Sequence, residues 1–361
     1  MSFWSELLRP EFIEFKPYKP VHGNFRVRLD ANEAPPMASA LASERLAREF
    51  SSIALERYPD AGSDALRAAI ARHLGRKDEE ILIGVGSDEV IGMLVTALSR
   101  ARSSNEPPTV LTTTPSFVMY KMSARLRGQR VIEVPLDANW EPDAAGLSRA
   151  LEVASPHVVF LANPNNPTGT VASEAVLRRV IEAAPRSLVV VDEAYVDYAN
   201  ENRLHLIDEY ENVAVLRTLS KVGFAGLRVG WLVGRGPFVA ELDKVRQPYN
   251  MSSVAQRLAT VVLNELWGEV ETVTRGVKAE RARLAAALGS MPGLSVTPSQ
   301  ANFLWLGSEI PAEKLFHALA ERGVLVRSFH ERGGRLANRL RVTVGTPAEN
   351  DELLECFRSI L

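Results

Sequence analysis

The chain has 361 residues, 46% of them hydrophobic and 24% charged, with 42 basic and 44 acidic side chains. At roughly 100–200 residues per domain this length suggests two domains, or one large α/β domain with an appendage, and the apolar fraction excludes intrinsic disorder as the main state. A formal charge of -2 offers no basic field for nucleic acid, and no polybasic stretch suggests docking to a membrane.

The N-terminal stretch is broken by Glu6, Arg9, Pro10 and Glu11 and does not read as a signal peptide. No apolar run approaches the ~18 residues that span a bilayer, the best being Leu188 to Val191. The single Cys356 cannot form an internal disulfide and suits a reducing compartment, so a cytoplasmic location is expected.

Residues 1–45 read as an irregular arm, with prolines at 10, 17, 20, 35 and 36. Asp64 to Leu74 carries a helical apolar stripe behind Ser63, a predicted N-cap. Short apolar runs follow at Ile81 to Ile83, Thr109 to Thr113, Arg130 to Pro135, Val158 to Leu161, Leu188 to Val191, Val213 to Leu216 and Val229 to Val233. Helical patterns, such as 88–98 and 172–184, fall between several of them. Wholly apolar strands separated by helices predict a mostly parallel sheet buried on both faces, with right-handed crossovers. Beyond about 253 the texture changes to long helical patterns (253–266, 268–290), then strands at Asn302 to Leu306, Val324 to Arg327 and Leu340 to Val344, and a closing helix over 347–360. The predicted division is an arm over 1–45, a large α/β domain over 46–250 and a smaller α+β domain over 251–361, which the arm joins.

Four places carry chemistry. In Leu82 to Glu89 a strand enters a glycine turn and a helix leaves it, with Ser87 near the cap. This is either a plain capped turn or a phosphate cradle built from backbone N–H groups and the helix dipole. The third glycine of a dinucleotide fingerprint is missing, and no P-loop occurs. Asn163 to Gly169 follows the strand Val158 to Leu161 with two prolines and three asparagines, which exceeds what a turn needs. Asp192, in Asp-Glu-Ala-Tyr195, ends a buried strand, where a carboxylate is costly unless paired or capping. Lys221 follows Ser220 and precedes Gly223, Gly226 and Arg228; it is either a solvated surface lysine or an amine that a nearby cation helps keep unprotonated and nucleophilic.

All four follow strands of one predicted parallel sheet, so they converge on one edge. An amine, a phosphate site and a carboxylate together are what pyridoxal 5′-phosphate requires for its aldehyde, its phosphate and its ring nitrogen. The six histidines show no metal-ligand spacing, so no metal is expected.

The chain resembles the fold-type I aminotransferases, and within them the histidinol-phosphate aminotransferase subgroup. The resemblance rests on the order and spacing of Leu29 to Glu33, Arg57 to Pro59, Gly86 to Glu89, Asn163 to Gly169, Asp192 to Tyr195, Thr218 to Arg228, Pro248 to Asn250 and Leu340 to Thr346. It implies a large cofactor domain with a mostly parallel, seven-stranded type of sheet flanked by helices. It further implies that Lys221 condenses with the cofactor aldehyde and moves the substrate's Cα proton. Asp192 would keep the ring nitrogen protonated, Tyr195 and Asn166 would bond the phenolic oxygen, and Phe117 would stack on the ring. Ser87, the main-chain N–H of Asp88, Ser220 and Arg228 would hold the phosphate, the Asp88 side chain pointing away. Tyr58 would reach the phosphate of the neighbouring subunit, implying a homodimer with shared sites. Arg341 and Arg327 would take the anions of the amino donor and of 2-oxoglutarate, with Tyr18 and Asn32 where the arm closes over substrate.

The loop from Lys221 to Arg228 is about a residue shorter than in many such proteins, which leaves the placement of the Arg228 guanidinium to be found. The activity implied is transamination of histidinol phosphate in histidine biosynthesis. Siblings on the same frame are an aromatic amino-acid aminotransferase and a threonine-phosphate decarboxylase. A cofactor-sensing regulator would need a DNA-binding domain, for which the arm leaves no room.

Overall fold

The computed structural model describes all residues except 1, 2, 10, 11, 13, 14, 16, 18–20, 38, 104 and 105. Twelve strands follow in chain order: β1 (Val27–Leu29), β2 (Ile81–Val85), β3 (Thr109–Thr114), β4 (Arg130–Pro135), β5 (Val158–Ala162), β6 (Leu188–Asp192), β7 (Val213–Thr218), β8 (Val229–Val233), β9 (Leu294–Thr297), β10 (Phe303–Ser308), β11 (Val324–Ser328) and β12 (Arg339–Thr343).

Seven of them form one sheet in the order β2-β8-β7-β6-β5-β3-β4. Its middle shows why the strands read as continuous apolar runs. Val159 and Leu161 of β5, Val189 and Val191 of β6, and Val213 and Val215 of β7 point into one core. Their neighbours Val158, Phe160, Val190, Ala214 and Leu216 point into another on the opposite face. Each fully buried Val or Leu contributes roughly 1.5–3 kcal/mol, so both faces are held by burial and must be covered by helices.

The pairings from β7 through β6 and β5 to β3 and β4 are parallel, but β8 runs antiparallel to both its neighbours, β2 and β7. Two antiparallel steps return β2 to the common direction. The ends of β2, β5, β6 and β7 therefore share one edge with the start of β8.

The remaining strands form a second sheet in the order β1-β11-β12-β10-β9. The N-terminal segment enters it directly: Val27, Arg28 and Leu29 pair in parallel with Val324, Leu325 and Val326. A core of Leu304, Leu306, Val326, Val342, Leu353 and Phe357 joins this sheet to helices Trp267–Gly289, Ala312–Glu321 and Pro347–Ile360.

The helix Asp64–Leu74 begins where its pattern predicts, but Ser63 does not cap it: Ser63 sits at φ 51° with no side-chain cap bond. Asp60 does that work, accepting from Gly62 N at 3.0 Å and Asp64 N at 2.6 Å. No helix among the described residues is long and apolar enough to cross a membrane.

Candidate active site

A cleft opens at the shared edge, lined among others by Ser87, Asp88, Phe117, Asn166, Asp192, Tyr195, Ser220, Lys221 and Arg228. These sequence-predicted residues come from five separate segments, which the sheet brings together because each follows or precedes a strand at that edge.

The helix Gly86–Ala97 starts at the end of β2, and no side chain caps it. Ser87 lies inside its first turn instead of at the cap, so the first-turn N–H groups remain available to an anion. Glu89 secures the entry, its Oε2 accepting from Val85 N at 2.6 Å and from Asn250 Nδ2 at 2.8 Å. Close backbone approach explains the glycines. A Cβ on Gly230 would stand 2.4 Å from Ser87 N, and Gly86 has φ +74° with the Arg228 guanidinium 2.6 Å from where its Cβ would be.

The loop brings Arg228 to this helix start, with Nη1 3.4 Å from Ser220 Oγ and Nη2 3.3 Å from Asp88 Oδ2. The Asp88 side chain does not point away as expected. It turns to Arg228, because a half-exposed guanidinium beside it offers a counter-charge, and its other oxygen, Oδ1, is buried without a hydrogen-bond partner among the described residues.

Asp192 is 3% exposed and has no ion-pair partner among the described residues. Its Oδ1 accepts from Ala194 N at 3.0 Å and its Oδ2 from the Tyr120 hydroxyl at 2.5 Å. Burial pushes its carboxyl up to about 6, against the two hydrogen bonds that favour the anion; the charges of Asp88 and Glu193 add to the rise. Tyr120 was not singled out from the sequence. A hydroxyl three residues after Phe117, in an otherwise apolar turn, was the only signal.

Of the three asparagines after β5, two stitch the turn. Asn163 Oδ1 accepts from Ala172 N at 2.8 Å, and Asn165 bonds Pro115 O, Thr168 Oγ1 and Ser116 Oγ at 2.8–3.1 Å. The third, Asn166, faces the cleft: its Oδ1 accepts from Arg341 Nη1 at 2.7 Å, which turns its Nδ2 to the Tyr195 oxygen at 3.2 Å. Asn32 donates to the same oxygen at 2.9 Å. With two amides donating to it, the Tyr195 hydroxyl is left to give its own hydrogen into the cleft.

Asn32 is buried beside the cleft. It is 1% exposed, its Oδ1 accepts from Thr343 Oγ1 at 3.2 Å, and its backbone is tied to Thr343 and Asn302. Lys221 Nζ lies 5.8 Å from the centre of the Tyr195 ring, and the Lys221 carbonyl accepts from the Tyr198 hydroxyl at 2.6 Å. Phe117 lines the cleft at the start of the helix Val118–Leu126.

Arg327 and Arg341 sit outside this inner set, on β11 and β12. Tyr58 does not line the cleft of its own chain. It is 82% exposed and stacks on Tyr249 with ring centres 4.8 Å apart. Tyr18 lies outside the described residues.

The donor set fits a phosphorylated pyridine aldehyde. An uncapped helix start with Ser87, Ser220 and Arg228 suits the phosphate, a buried carboxylate lacking a cation among the described residues suits a protonated ring nitrogen, and Lys221 supplies an amine in the same cleft.

Comparison with known proteins agrees with this geometry. The model of the family described as aminotransferase class I and II matches residues 26–357. A histidinol-phosphate aminotransferase from Methylibium petroleiphilum is 41% identical over 339 residues, covering 93% of this chain and 89% of that one. The crystal structure of a histidinol-phosphate aminotransferase from Sinorhizobium meliloti in complex with pyridoxal-5′-phosphate superposes with TM-score 0.84 at 24% identity, covering 98% of both chains. An L-threonine-O-3-phosphate decarboxylase from Porphyromonas gingivalis shares the fold, with TM-score 0.78 at 21% identity over 92% of this chain and 99% of that one.

Proposed function

The chain belongs to the class I and II aminotransferase family, and on that premise we propose that it is a pyridoxal 5′-phosphate enzyme transferring the amino group of L-histidinol phosphate to 2-oxoglutarate, giving imidazole-acetol phosphate and glutamate. The bound cofactor would supply a conjugated ring able to take up electron density from the donor's Cα.

This chain's residues do the rest. Lys221 Nζ would hold the cofactor aldehyde and serve as the base that moves the donor's Cα proton; a positioned base of this kind contributes ~10²–10⁴-fold. The Asp192 carboxylate would keep a proton on the ring nitrogen. Tyr195 Oη and Asn166 would bond the phenolic oxygen. Ser87, the Asp88 N–H, Ser220 and Arg228 would hold the phosphate, and Phe117 would pack on the ring face.

The choice of donor is carried by one observation: Arg327 stands directly opposite Arg341 across two strands and has no hydrogen-bond or ion-pair partner among the described residues. Two adjacent guanidiniums suit a phosphate in one half-reaction and the carboxylates of 2-oxoglutarate in the other. We place the enzyme in the cytoplasm as a homodimer, in which Tyr58 of each subunit serves the other's phosphate site.

The deciding experiment compares kcat/KM for histidinol phosphate, phenylalanine and tyrosine with 2-oxoglutarate as acceptor. The expected result is a strong preference for the phosphorylated donor and loss of turnover with all three in Lys221→Ala. Preference for an aromatic amino acid overturns the donor. Release of carbon dioxide from threonine phosphate, without keto-acid formation, overturns the reaction type.

A further inference from the structure

A buried carboxylate facing a ring nitrogen shares one proton with it, and the surroundings of the carboxylate decide on which atom the proton rests. Asp192 ends β6 on the same face as Val190, which turns it toward the helix Val118–Leu126 and Tyr120. The Tyr120 side chain is fully buried. Its ring lies parallel to Phe160 at 4.7 Å and 1°, with Phe117 edge-on at 5.5 Å and 83°. The phenol is thus clamped, and its hydroxyl stands 2.5 Å from Asp192 Oδ2. Ala194 N holds the other oxygen at 3.0 Å. Each carboxylate oxygen is pinned by one donor and retains a lone pair for the cleft.

We propose that Tyr120 is a positioning residue of this enzyme: by donating to Asp192 Oδ2 it fixes the carboxylate as an anion aimed into the cleft, so that the shared proton stays on the cofactor's ring nitrogen. The proposal rests on Asp192 being the ring-nitrogen partner. Burial alone drives Asp192 toward its neutral form, and the Tyr120 hydrogen bond is the largest influence acting the other way. Burial and the neighbouring Asp192 charge also keep the Tyr120 phenol protonated, so that it donates to the carboxylate. Without that donation the carboxylate becomes the stronger base and draws the proton off the ring, weakening the ring's pull on electrons at the donor's Cα.

The test reads the ring nitrogen directly, by ¹⁵N magnetic resonance of holoenzyme reconstituted with ring-¹⁵N pyridoxal phosphate. Wild type should show a protonated ring nitrogen. Tyr120→Phe, which keeps the stack on Phe160, should move the resonance toward neutral pyridine. Its kcat should fall roughly 10- to 100-fold, the range of a hydrogen bond to a charged group, while the donor KM stays within about twofold. A Tyr120→Phe resonance at the wild-type position overturns the proposal, whatever the activity. Should that variant fail to fold, 3-fluorotyrosine in place of Tyr120 is a stronger donor and should raise the pH at which the ring nitrogen titrates; no rise overturns the proposal. Asp192→Asn separates the two layers. If it abolishes ring protonation while Tyr120→Phe does not, only the role of Tyr120 falls. If it leaves the resonance unmoved, the assignment of Asp192 falls with it.

Discussion

Arg327 and Arg341 occupy directly paired positions on antiparallel β11 and β12, so their side chains leave the sheet on the same face. Like charges so placed destabilise a sheet. Arg341 is tied to Asn166 Oδ1 and the Asp30 carbonyl, whereas Arg327 has no such partner among the described residues. An anion bound between them would relieve that repulsion. We expect Arg327→Ala to lower kcat/KM for histidinol phosphate by about 10- to 100-fold, the weight of a charge-assisted hydrogen bond. The effect on an aromatic donor lacking phosphate should be much smaller. The same substitution should leave the unfolding temperature unchanged or higher, and should reduce the stabilisation of wild type by inorganic phosphate. Equal losses for both donors in steady-state assays would contradict the role.

Asp192 ties the stability of cofactor-free protein to pH. Burial first, then the charges of Asp88 and Glu193, hold its carboxyl at about 6 against an unfolded value of 3.8. Between these values the folded chain keeps a proton that the unfolded chain has released. The favourable contribution is complete below about pH 4 and is lost as pH rises through 6. Relative to wild type, Asp192→Asn should therefore gain on the order of 3 kcal/mol between pH 4 and pH 7, since each unit of displacement is worth about 1.4 kcal/mol. Urea unfolding of both proteins stripped of cofactor checks this. A difference constant across that range rejects it, and bound cofactor should suppress it by supplying the missing cation.

How far the amino-acid sequence reveals this architecture depends on the kind of signal. The strands were legible because burial on both faces leaves no polar position: Val189, Val190 and Val191 each meet a core. The direction of β8 was not, since Val-Gly-Trp-Leu-Val is equally apolar read either way, and only its pairing with β2 and β7 orients it. Lys221, Asp192 and Asn166 stood out because costly or reactive groups end apolar strands. Tyr120 did not, because a tyrosine within a helix looks like core until its hydroxyl finds a carboxylate from a strand 72 positions away. Asp60 displaced Ser63 as the cap for a similar reason: a three-residue loop set at φ 51° brings the earlier side chain back over the helix start.

The proposed phosphate site depends on backbone touching backbone. A methyl on Gly230 would lie 2.4 Å from Ser87 N and 2.5 Å from the Gly86 carbonyl carbon, and neither can yield without moving the helix start. We expect Gly230→Ala to cost about 1–3 kcal/mol, as overpacking does, and to weaken cofactor binding by shifting Ser87. Gly276 provides the contrast. It lies inside the helix Trp267–Gly289 with nothing within 4 Å of its missing methyl, so Gly276→Ala should stabilise by about 0.5–1 kcal/mol and leave cofactor affinity alone. Chemical denaturation and fluorescence titration with pyridoxal phosphate check both. A Gly230→Ala protein with wild-type affinity would show that the close approach does not shape the site.

Tyr58 and Tyr249 stack in the open, 82% and 48% exposed. Aromatic surface of this kind, held in a fixed pair yet left largely open, suits contact with a second copy. If Tyr58 serves the neighbour's phosphate site, Tyr58→Ala and Lys221→Ala impair different halves of one composite site. Each variant should be nearly inactive alone. In a two-fold dimer of mixed composition, one site combines the intact Lys221 of one subunit with the intact Tyr58 of the other, while the second site collects both lesions. Random reassociation of equal amounts makes half of the dimers mixed, each with one competent site, so activity should return to roughly a quarter of wild type. Subunit exchange followed by a transamination assay measures this, with sedimentation to confirm the dimer. Failure to recover activity on mixing, or a fully active monomer, would confine each site to a single chain.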